Sequence, residues 1–249
     1  MLFRSISSTG PDSRPHILFP MEYIEITGEV APARAIGLPE SPKEPWISSA
    51  TEPPGRLALA RFATVVGFTD PFMIGDGGNG YVFGNDNLRE FMNEFRSLPR
   101  QPFERVPGTP DTIVLRQREG MFYVVNMLGV PVSARLRLDA SASIKRTTSG
   151  EITTSNDGIL RLDLLPYQMA VFETESERQV LDAQAFLGSE AELDFAARAA
   201  AIRKSADAEC GGLIWNNRCT KVRTRSREIE AAISRGAYWT AERLFDADN

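Results

Sequence analysis

The chain has 249 residues, 42% of them apolar, which is enough to bury a core in one large domain or in two to three small ones. Its net charge is −5 with acidic and basic residues interleaved, so it lacks the basic surface that binds a nucleic-acid backbone. Apolar stretches such as Leu57–Phe68 are interrupted by charge and fall short of the roughly 20 residues that cross a bilayer. We therefore expect neither a nucleic-acid partner nor a membrane span.

The N-terminal part begins with a predicted strand and continues in a long loop. Ile17–Thr27 mixes β-branched and aromatic residues with little helical period, which favours a strand. Residues 28–55 are rich in proline and predict an irregular loop that follows the surface. Trp46 lies inside this loop, where it serves either as an apolar anchor or as a binding platform.

Two helices and a short strand follow the loop. Arg56–Gly67 is apolar on almost every side and predicts a buried helix, which Gly67 ends. Phe72–Ile74 predicts a strand that runs into the glycine-rich segment Gly75–Gly80. Apolar residues recur at helical spacing through Leu88–Leu98, and Pro99 ends this clearly amphipathic helix.

From Asp111 the apolar period changes from that of a helix to that of a strand. Residues 132–139 and 160–164 alternate strictly between apolar and polar, so each of these strands has one solvated face. Turn residues separate about six predicted strands, and short antiparallel strands at this spacing form a sandwich or a partial barrel. The other four strands are Thr112–Gln117, Met121–Met127, Ile144–Thr148 and Tyr167–Glu173.

Beyond Ser176 the composition shifts to Ala, Glu and Arg. We predict a helix near Glu190–Ala206 and another near Ser226–Arg235 that runs toward the C-terminus. Cys210 and Cys219 are the only cysteines; their spacing permits a bridge, and two free thiols are the alternative.

Few residues in this sequence point to catalysis. His16 is the only histidine and stands at a strand entrance, which favours a surface role over a nucleophile–histidine pair. The cysteines have no metal-ligating neighbours, and Gly75–Gly80 fits neither a phosphate-binding loop nor a calcium loop. We expect no cofactor and no metal.

Carboxylates remain as candidates. Glu22 and Glu25 lie on the first predicted strand, Glu29 follows it, and Asp76 ends the second. Paired acids hydrolyse a glycosidic bond when one is held protonated and another ionised, whereas most acids are simply solvated.

Three segments carry a resemblance to a known architecture. They are DPFMIGDGG at 70–78 followed by the amphipathic helix to Pro99, FYVVN at 122–126, and LDLLPY at 162–167. Over residues 15–175 the chain resembles the last portion of a glycoside-hydrolase (β/α)₈ barrel with its C-terminal β-sandwich. The resemblance implies an α+β fold: an incomplete barrel-like segment at 1–105, an antiparallel β-sandwich at 106–176 and a helical tail at 177–249.

The same resemblance implies a function that involves carbohydrate. Catalytic acids of such barrels stand at the carboxyl ends of several strands, so Glu22, Glu25 and Asp76 would face the substrate cleft. Trp46 would stack on a sugar ring, and Asn79 would contact substrate. About 105 residues precede the β-domain, against about 250 for a full barrel. The chain would then be an accessory region, not catalytic alone, and hydrolase-like only as part of a longer chain.

Two further hypotheses stay open. In the first, the sandwich is a stand-alone module that binds carbohydrate or another protein, which predicts a monomer whose first helix is covered. The accessory hypothesis predicts instead an exposed apolar helix, a missing barrel domain as partner, self-association, and coding sequence upstream of Met1. In the second, a complete small enzyme uses Glu25 and Asp76, which is disfavoured because two strands make a marginal scaffold.

Overall fold

The computed structural model describes residues 6–7, 16–18, 46–49, 59–71, 73–76, 86–155, 157–175, 178–210 and 217–246. The helices are α1 (Ala60–Thr69), α2 (Asp86–Ser97), α3 (Ser189–Cys210), α4 (Asn217–Ser234) and α5 (Tyr238–Asp246). The first strands are β1 (Ile6–Ser7), β2 (His16–Leu18), β3 (Trp46–Ser49), β4 (Met73–Asp76) and β5 (Glu104–Arg105). They are followed by β6 (Ile113–Arg118), β7 (Met121–Asn126), β8 (Val132–Leu138) and β9 (Ser143–Arg146). The last strands are β10 (Ile152–Thr154), β11 (Ile159–Leu164), β12 (Met169–Glu173) and β13 (Val180–Leu187).

The N-terminal strands form a small sheet in the order β1-β2-β4-β3. Strands β2 and β3 both run parallel to β4, whereas β1 is antiparallel to β2. The prediction of a loop throughout 28–55 was wrong at β3, because pairing with β4 satisfies the backbone of Trp46–Ser49 despite the neighbouring prolines. The first predicted strand is present at His16–Leu18, and its remaining residues lie outside the described ones.

The order of these strands bears on the expected barrel. In a barrel each strand lies beside the one that precedes it, as β3 and β4 do here. Strand β2 instead lies on the far side of β4. The sheet thus contains one pair in barrel order, and the barrel remnant stays a prediction.

Helices α1 and α2 confirm the two helices predicted in this region, each shifted by a few residues. Both pack on the β-domain, and their buried apolar side chains include Phe62, Val66, Phe91 and Phe95. Gly67 of α1 has no room for a side chain, since a Cβ there would lie 2.8 Å from the Met127 sulfur. The absence of a side chain lets this helix approach the sheet closely.

The β-domain confirms all six predicted strands and adds β5, β10 and β13. Its larger sheet has the order β10-β9-β12-β7-β6-β5, and its smaller sheet has the order β11-β8-β13. All the strand pairs in both sheets are antiparallel.

The central strands of the six-stranded sheet are buried on both faces. Alternate residues such as Phe122 and Val124 point into the core between the two sheets, while Tyr123 and Val125 join the core beneath α1 and α2. The same division holds for β6 and β12. A sheet covered on both sides carries apolar residues at nearly every position, so these strands show no apolar–polar alternation.

The three-stranded sheet keeps one solvated face. Along β8 the apolar residues are buried and the polar residues are exposed in strict alternation, as predicted. Strand β13 falls within the expected helical tail. Its Ala, Gln and Leu content suits a helix, but pairing with β8 outweighs that local preference.

The tail folds back onto the β-domain as α3, α4 and α5. Side chains of all three helices, including Phe195, Ile229 and Phe245, join the core between the sheets. Cys210 and Cys219 form a disulfide between the end of α3 and the start of α4, with their Cα atoms 5.4 Å apart. The bridged alternative left open by the spacing is therefore the one found.

The described chain is thus a mixed α+β fold with two antiparallel sheets in its β-domain and a helical C-terminal end. None of its described helices has the length and apolar character that a bilayer crossing demands.

Candidate functional site

The carboxyl ends of the parallel strands meet at one edge of the N-terminal sheet. Leu18 of β2 and Ser49 of β3 both stand in register with Asp76, the last residue of β4. Asp76 is the one predicted acid that the structure describes. Glu22 and Glu25 lie outside the described residues.

The two predicted substrate-binding residues differ in how far they can be placed. Trp46 is the first residue of β3 and pairs with Met73, three positions before the row of Asp76. Three positions correspond to about 10 Å along a strand. The backbone thus sets Trp46 and Asp76 at opposite ends of the sheet, and Asn79 lies outside the described residues.

A cleft of about 220 Å³ lies where the two helices meet the β-domain. It is lined by the start of α1, by α2 and by the turn between β11 and β12, through Leu59, Glu90, Phe91, Leu165, Pro166, Gln168 and Met169. Most of the lining is apolar, and Leu165 is exposed at its rim. Such a lining with a few polar groups is typical of a small binding site.

Glu90 is the only carboxylate in the lining of this cleft. Its Oε1 accepts hydrogen bonds from Arg146 at 3.2 Å and from the Gln168 side chain at 3.3 Å. Glycoside hydrolysis ordinarily uses two carboxyl groups that flank the bond, so one carboxylate paired with a guanidinium fits binding better than cleavage. Within the part of the chain that is described, no group of three or more His, Cys, Asp or Glu side chains could hold a metal ion.

A fully buried acid stands behind the cleft on the same helix. Glu94 has 0% exposure, and its Oε1 accepts from Arg146 at 2.8 Å and from the Thr148 hydroxyl at 2.6 Å. Its Oε2 accepts from the backbone N–H of Val171 at 3.0 Å. Both carboxylate oxygens are therefore used to fix α2 to β9 and β12.

A second polar joint fixes α1 to the same sheet. Asp70 ends α1 in the left-handed conformation, and its carboxylate accepts from the Tyr123 hydroxyl at 2.9 Å and from the Phe103 N–H at 2.8 Å. Arg116 donates to the carbonyls of Gly67, Phe68 and Phe103 at 2.8 to 3.2 Å. The Gly67 and Phe68 carbonyls belong to the last turn of α1, where a helix leaves carbonyls without a partner of its own.

Sequence reasoning missed these joint residues, although one carried a signal. Glu94 falls three residues after Phe91 and four before Leu98, which is the apolar face of the amphipathic helix. A charged residue at a core position predicts a buried partner. Asp70, Arg116 and Tyr123 gave no such signal, because their contacts join residues about 50 apart in the sequence.

Comparison with protein-family models and with curated proteins finds no match for this chain. Several of the solved structures that are partly similar are glycoside hydrolases. AmyP in complex with maltotriose shares 11% identity and a TM-score of 0.37 over 49% of this chain and 36% of its own. An α-amylase from Anoxybacillus shares 17% identity and a TM-score of 0.36 over 53% of this chain and 38% of its own.

A putative α-galactosidase/melibiase from Bacteroides fragilis shares 16% identity and a TM-score of 0.33, over 46% of this chain and 27% of its own. The chain spans between 27% and 38% of the length of these three structures. The likeness is partial and assigns no family.

Proposed function

We propose that this chain is the C-terminal accessory region of a glycoside-hydrolase-like protein that acts on carbohydrate and does not cleave it alone. In this proposal the strands β2, β3 and β4 with α1 and α2 belong to the end of a barrel. The β-domain packs against that end and holds it in shape.

The observation that carries the proposal is the double joint between the helices and the six-stranded sheet. Helices α1 and α2 share one core with the outer face of this sheet. Hydrogen bonds of the buried Glu94 and of the partly buried Asp70 reinforce the same contact. An accessory domain that serves a barrel needs such a rigid attachment, whereas a tethered module would need only a linker.

The distribution of acids supports the non-catalytic part of the proposal. Asp76 ends β4, and Glu22 and Glu25 follow β2, whose carboxyl end shares an edge with that of β4. These acids would form part of a site that is completed by strands outside this chain. The cleft beside α2 has Glu90 as the only carboxylate in its lining, so it would contact carbohydrate without cleaving it.

A second candidate is a stand-alone module that binds carbohydrate or another protein. The observation that favours it is the cover over α1: Phe62, Ala63 and Val66 are fully buried against the β-domain. The accessory hypothesis predicted exposed apolar surface on this helix, and that prediction is wrong for Phe62, Ala63 and Val66. Among its described side chains, only Phe68 offers a large exposed apolar surface, and its ring also contacts Trp239.

The test is binding of the purified chain to plant, algal and bacterial polysaccharides, with hydrolysis products assayed in the same samples. We expect binding without cleavage. Trp46→Ala and Glu90→Gln would show whether the N-terminal sheet or the cleft takes part, and Glu173→Gln, at the partly exposed end of β12, serves as the control.

Two results would count against the proposal. Cleavage that Glu25→Gln abolishes would make the chain an enzyme in its own right. Failure to bind any polysaccharide, with the folded chain confirmed by circular dichroism, would remove carbohydrate from its function and favour a protein-interaction module.

A further inference from the structure

The outer face of the three-stranded sheet is a flat, solvated platform. Each of its three rows takes one residue from β11, one from β8 and one from β13. The rows are Ile159–Arg137–Asp182, Arg161–Arg135–Gln184 and Asp163–Ser133–Phe186. With strands about 4.8 Å apart and paired rows about 7 Å apart, the platform measures about 10 by 14 Å.

Both carboxylates of the platform have partners. Arg137 donates from Nε to Asp182 at 2.8 Å, and this hydrogen bond with the charge of Asp182 raises the pKa of Arg137. The Ser133 hydroxyl donates to Asp163 at 2.6 Å. Asp163 and Asp182 therefore form their hydrogen bonds with residues other than Arg135 and Arg161.

Arg135 and Arg161 form the middle row of the platform together with Gln184. They stand directly opposite each other on β8 and β11, and both are exposed. No ion pair or hydrogen bond joins either side chain to the described residues around them. Like charges directly opposite on neighbouring strands repel, so the pair costs the fold stability unless an anion lies between them.

An exposed aromatic ring lies beside this pair. Phe186 is 48% exposed, and the Arg135 guanidinium lies 5.7 Å from its ring centroid. This contact leaves much of the ring open to solvent. The Phe186 ring therefore offers an apolar surface directly beside the Arg135 guanidinium, which can bind an anion.

We propose that this platform binds an acidic polysaccharide, with a carboxylate or sulfate group held between Arg135 and Arg161 and a sugar ring resting on Phe186. The inference rests on the proposed function and names its ligand class. A guanidinium matches carboxylate and sulfate oxygens with two parallel hydrogen bonds. The apolar face of a sugar ring covers an aromatic ring that would otherwise stay wet.

The charge of the whole chain argues against an unspecific attraction for polyanions. The net charge of the chain is −5, whereas the platform carries three arginines and two aspartates and is therefore slightly basic on an acidic protein. Binding therefore depends on these two arginines and weakens as salt screens them. An acidic peptide would use the arginines but would need no flat apolar ring.

The experiment compares ligands that share a backbone and differ in charge. Affinity electrophoresis of the whole chain would use pectate against methyl-esterified pectin, and carrageenan against agarose. The variant Arg135→Gln/Arg161→Gln is compared with Lys204→Gln/Arg227→Gln, which removes the same charge from exposed positions on α3 and α4. Poly-glutamate is the peptide probe.

We expect the chain to prefer the acidic member of a pair. Each platform arginine should contribute about tenfold in affinity, so the double variant should bind about 100-fold more weakly and the control about as well as the parent chain. Phe186→Ala should weaken polysaccharide binding about fivefold and leave poly-glutamate binding unchanged. The double variant should unfold at the same temperature as the parent or slightly higher, because it loses a repulsive pair.

Each contrary result has a distinct meaning. Acidic polysaccharide binding that survives the double variant would overturn the inference, as would binding of poly-glutamate that matches the polysaccharide. Binding only to neutral polysaccharides, unchanged in both variants, would refute the platform and leave the accessory function standing. Silence toward every polysaccharide would refute both.

Discussion

Two helical layers cover the β-domain, and they are fixed in different ways. Helices α1 and α2 lie on the outer face of the six-stranded sheet, where the buried Glu94 and the Asp70–Tyr123 pair hold them. Helices α3 to α5 add to the core between the sheets and are tied by one disulfide and by Asp111. Both layers therefore share a core with the β-domain, but the joints of the first layer include the buried Glu94, whereas the joints of the second layer lie at helix ends. Substitutions in the first layer should cost more stability.

The largest effect is expected at Glu94. Glu94→Ala leaves Thr148 and the Val171 N–H without their acceptor in a buried site and leaves Arg146 with Glu90 alone, which should cost about 3–5 kcal/mol of unfolding free energy. Glu173→Ala is the control, because it breaks an exposed ion pair with Lys145 and should cost less than about 1 kcal/mol. Urea unfolding measures both. Equal losses would mean that the buried network does not hold the first layer.

The disulfide is expected to rank second. Replacing Cys210 and Cys219 by serine frees the joint between α3 and α4, and closure of so short a loop stabilises by about 2.5 kcal/mol. Hydrogen exchange should rise in α3 and α4 before it rises in β7. A uniform rise in hydrogen exchange across the chain would show that the tail and the sheet unfold as one unit. The two layers would then not differ in local stability.

A smaller effect is expected where α5 begins. Asp111 accepts from the Thr240 N–H at 2.9 Å and from its hydroxyl at 2.7 Å, so it caps α5 from the start of the β-domain. Asp111→Ala should cost about 1–2 kcal/mol, and Asp111→Asn should cost less because it keeps an acceptor and loses only the charge–dipole term. Thermal unfolding of the three proteins would decide. A loss as large for Asn as for Ala would assign the stabilisation to charge alone.

The sequence reveals the elements whose local pattern agrees with their final structure better than the elements that depend on pairing with a distant strand. The amphipathic α2 and the alternating β8 and β11 were predicted with bounds close to those found. Strand β13 was missed because its Ala and Gln residues suit a helix and only pairing with β8 makes it a strand. Strand β3 was missed because the prolines that precede it predict a loop.

The candidate sites follow the same division. Arg135 and Arg161 lie at polar positions of two strands whose apolar–polar alternation was predicted correctly. Their pairing across strands depends on a register that composition does not reveal. The cleft joins residues of α1, α2 and the β11–β12 turn, which are up to about 110 residues apart in the chain. Asp76 was predicted as the end of a strand and is found there.

The smallest effect concerns pH and lies within the tail. Burial raises the pKa of Tyr238 above its ordinary value of 10.0, and the negative charge of Glu192 adds to this. The unfolded chain therefore loses this proton at a lower pH than the folded chain does. The stability that the neutral Tyr238 contributes is fully present below about pH 10 and is lost as the pH rises through the pKa of Tyr238 in the folded chain.

Tyr238→Phe removes this dependence and keeps the ring that packs edge-on against Phe195 at 5.1 Å. We expect the parent chain to lose more unfolding free energy than the variant between about pH 9 and about pH 11. Glu192→Gln should lose an amount of unfolding free energy between those of the parent chain and Tyr238→Phe, because it removes the charge that adds to the rise in the pKa of Tyr238. If the unfolding free energies of the parent and Tyr238→Phe change in parallel with pH, the phenol is solvated in the folded chain. The second layer would then pack less closely around Tyr238 than its contacts indicate.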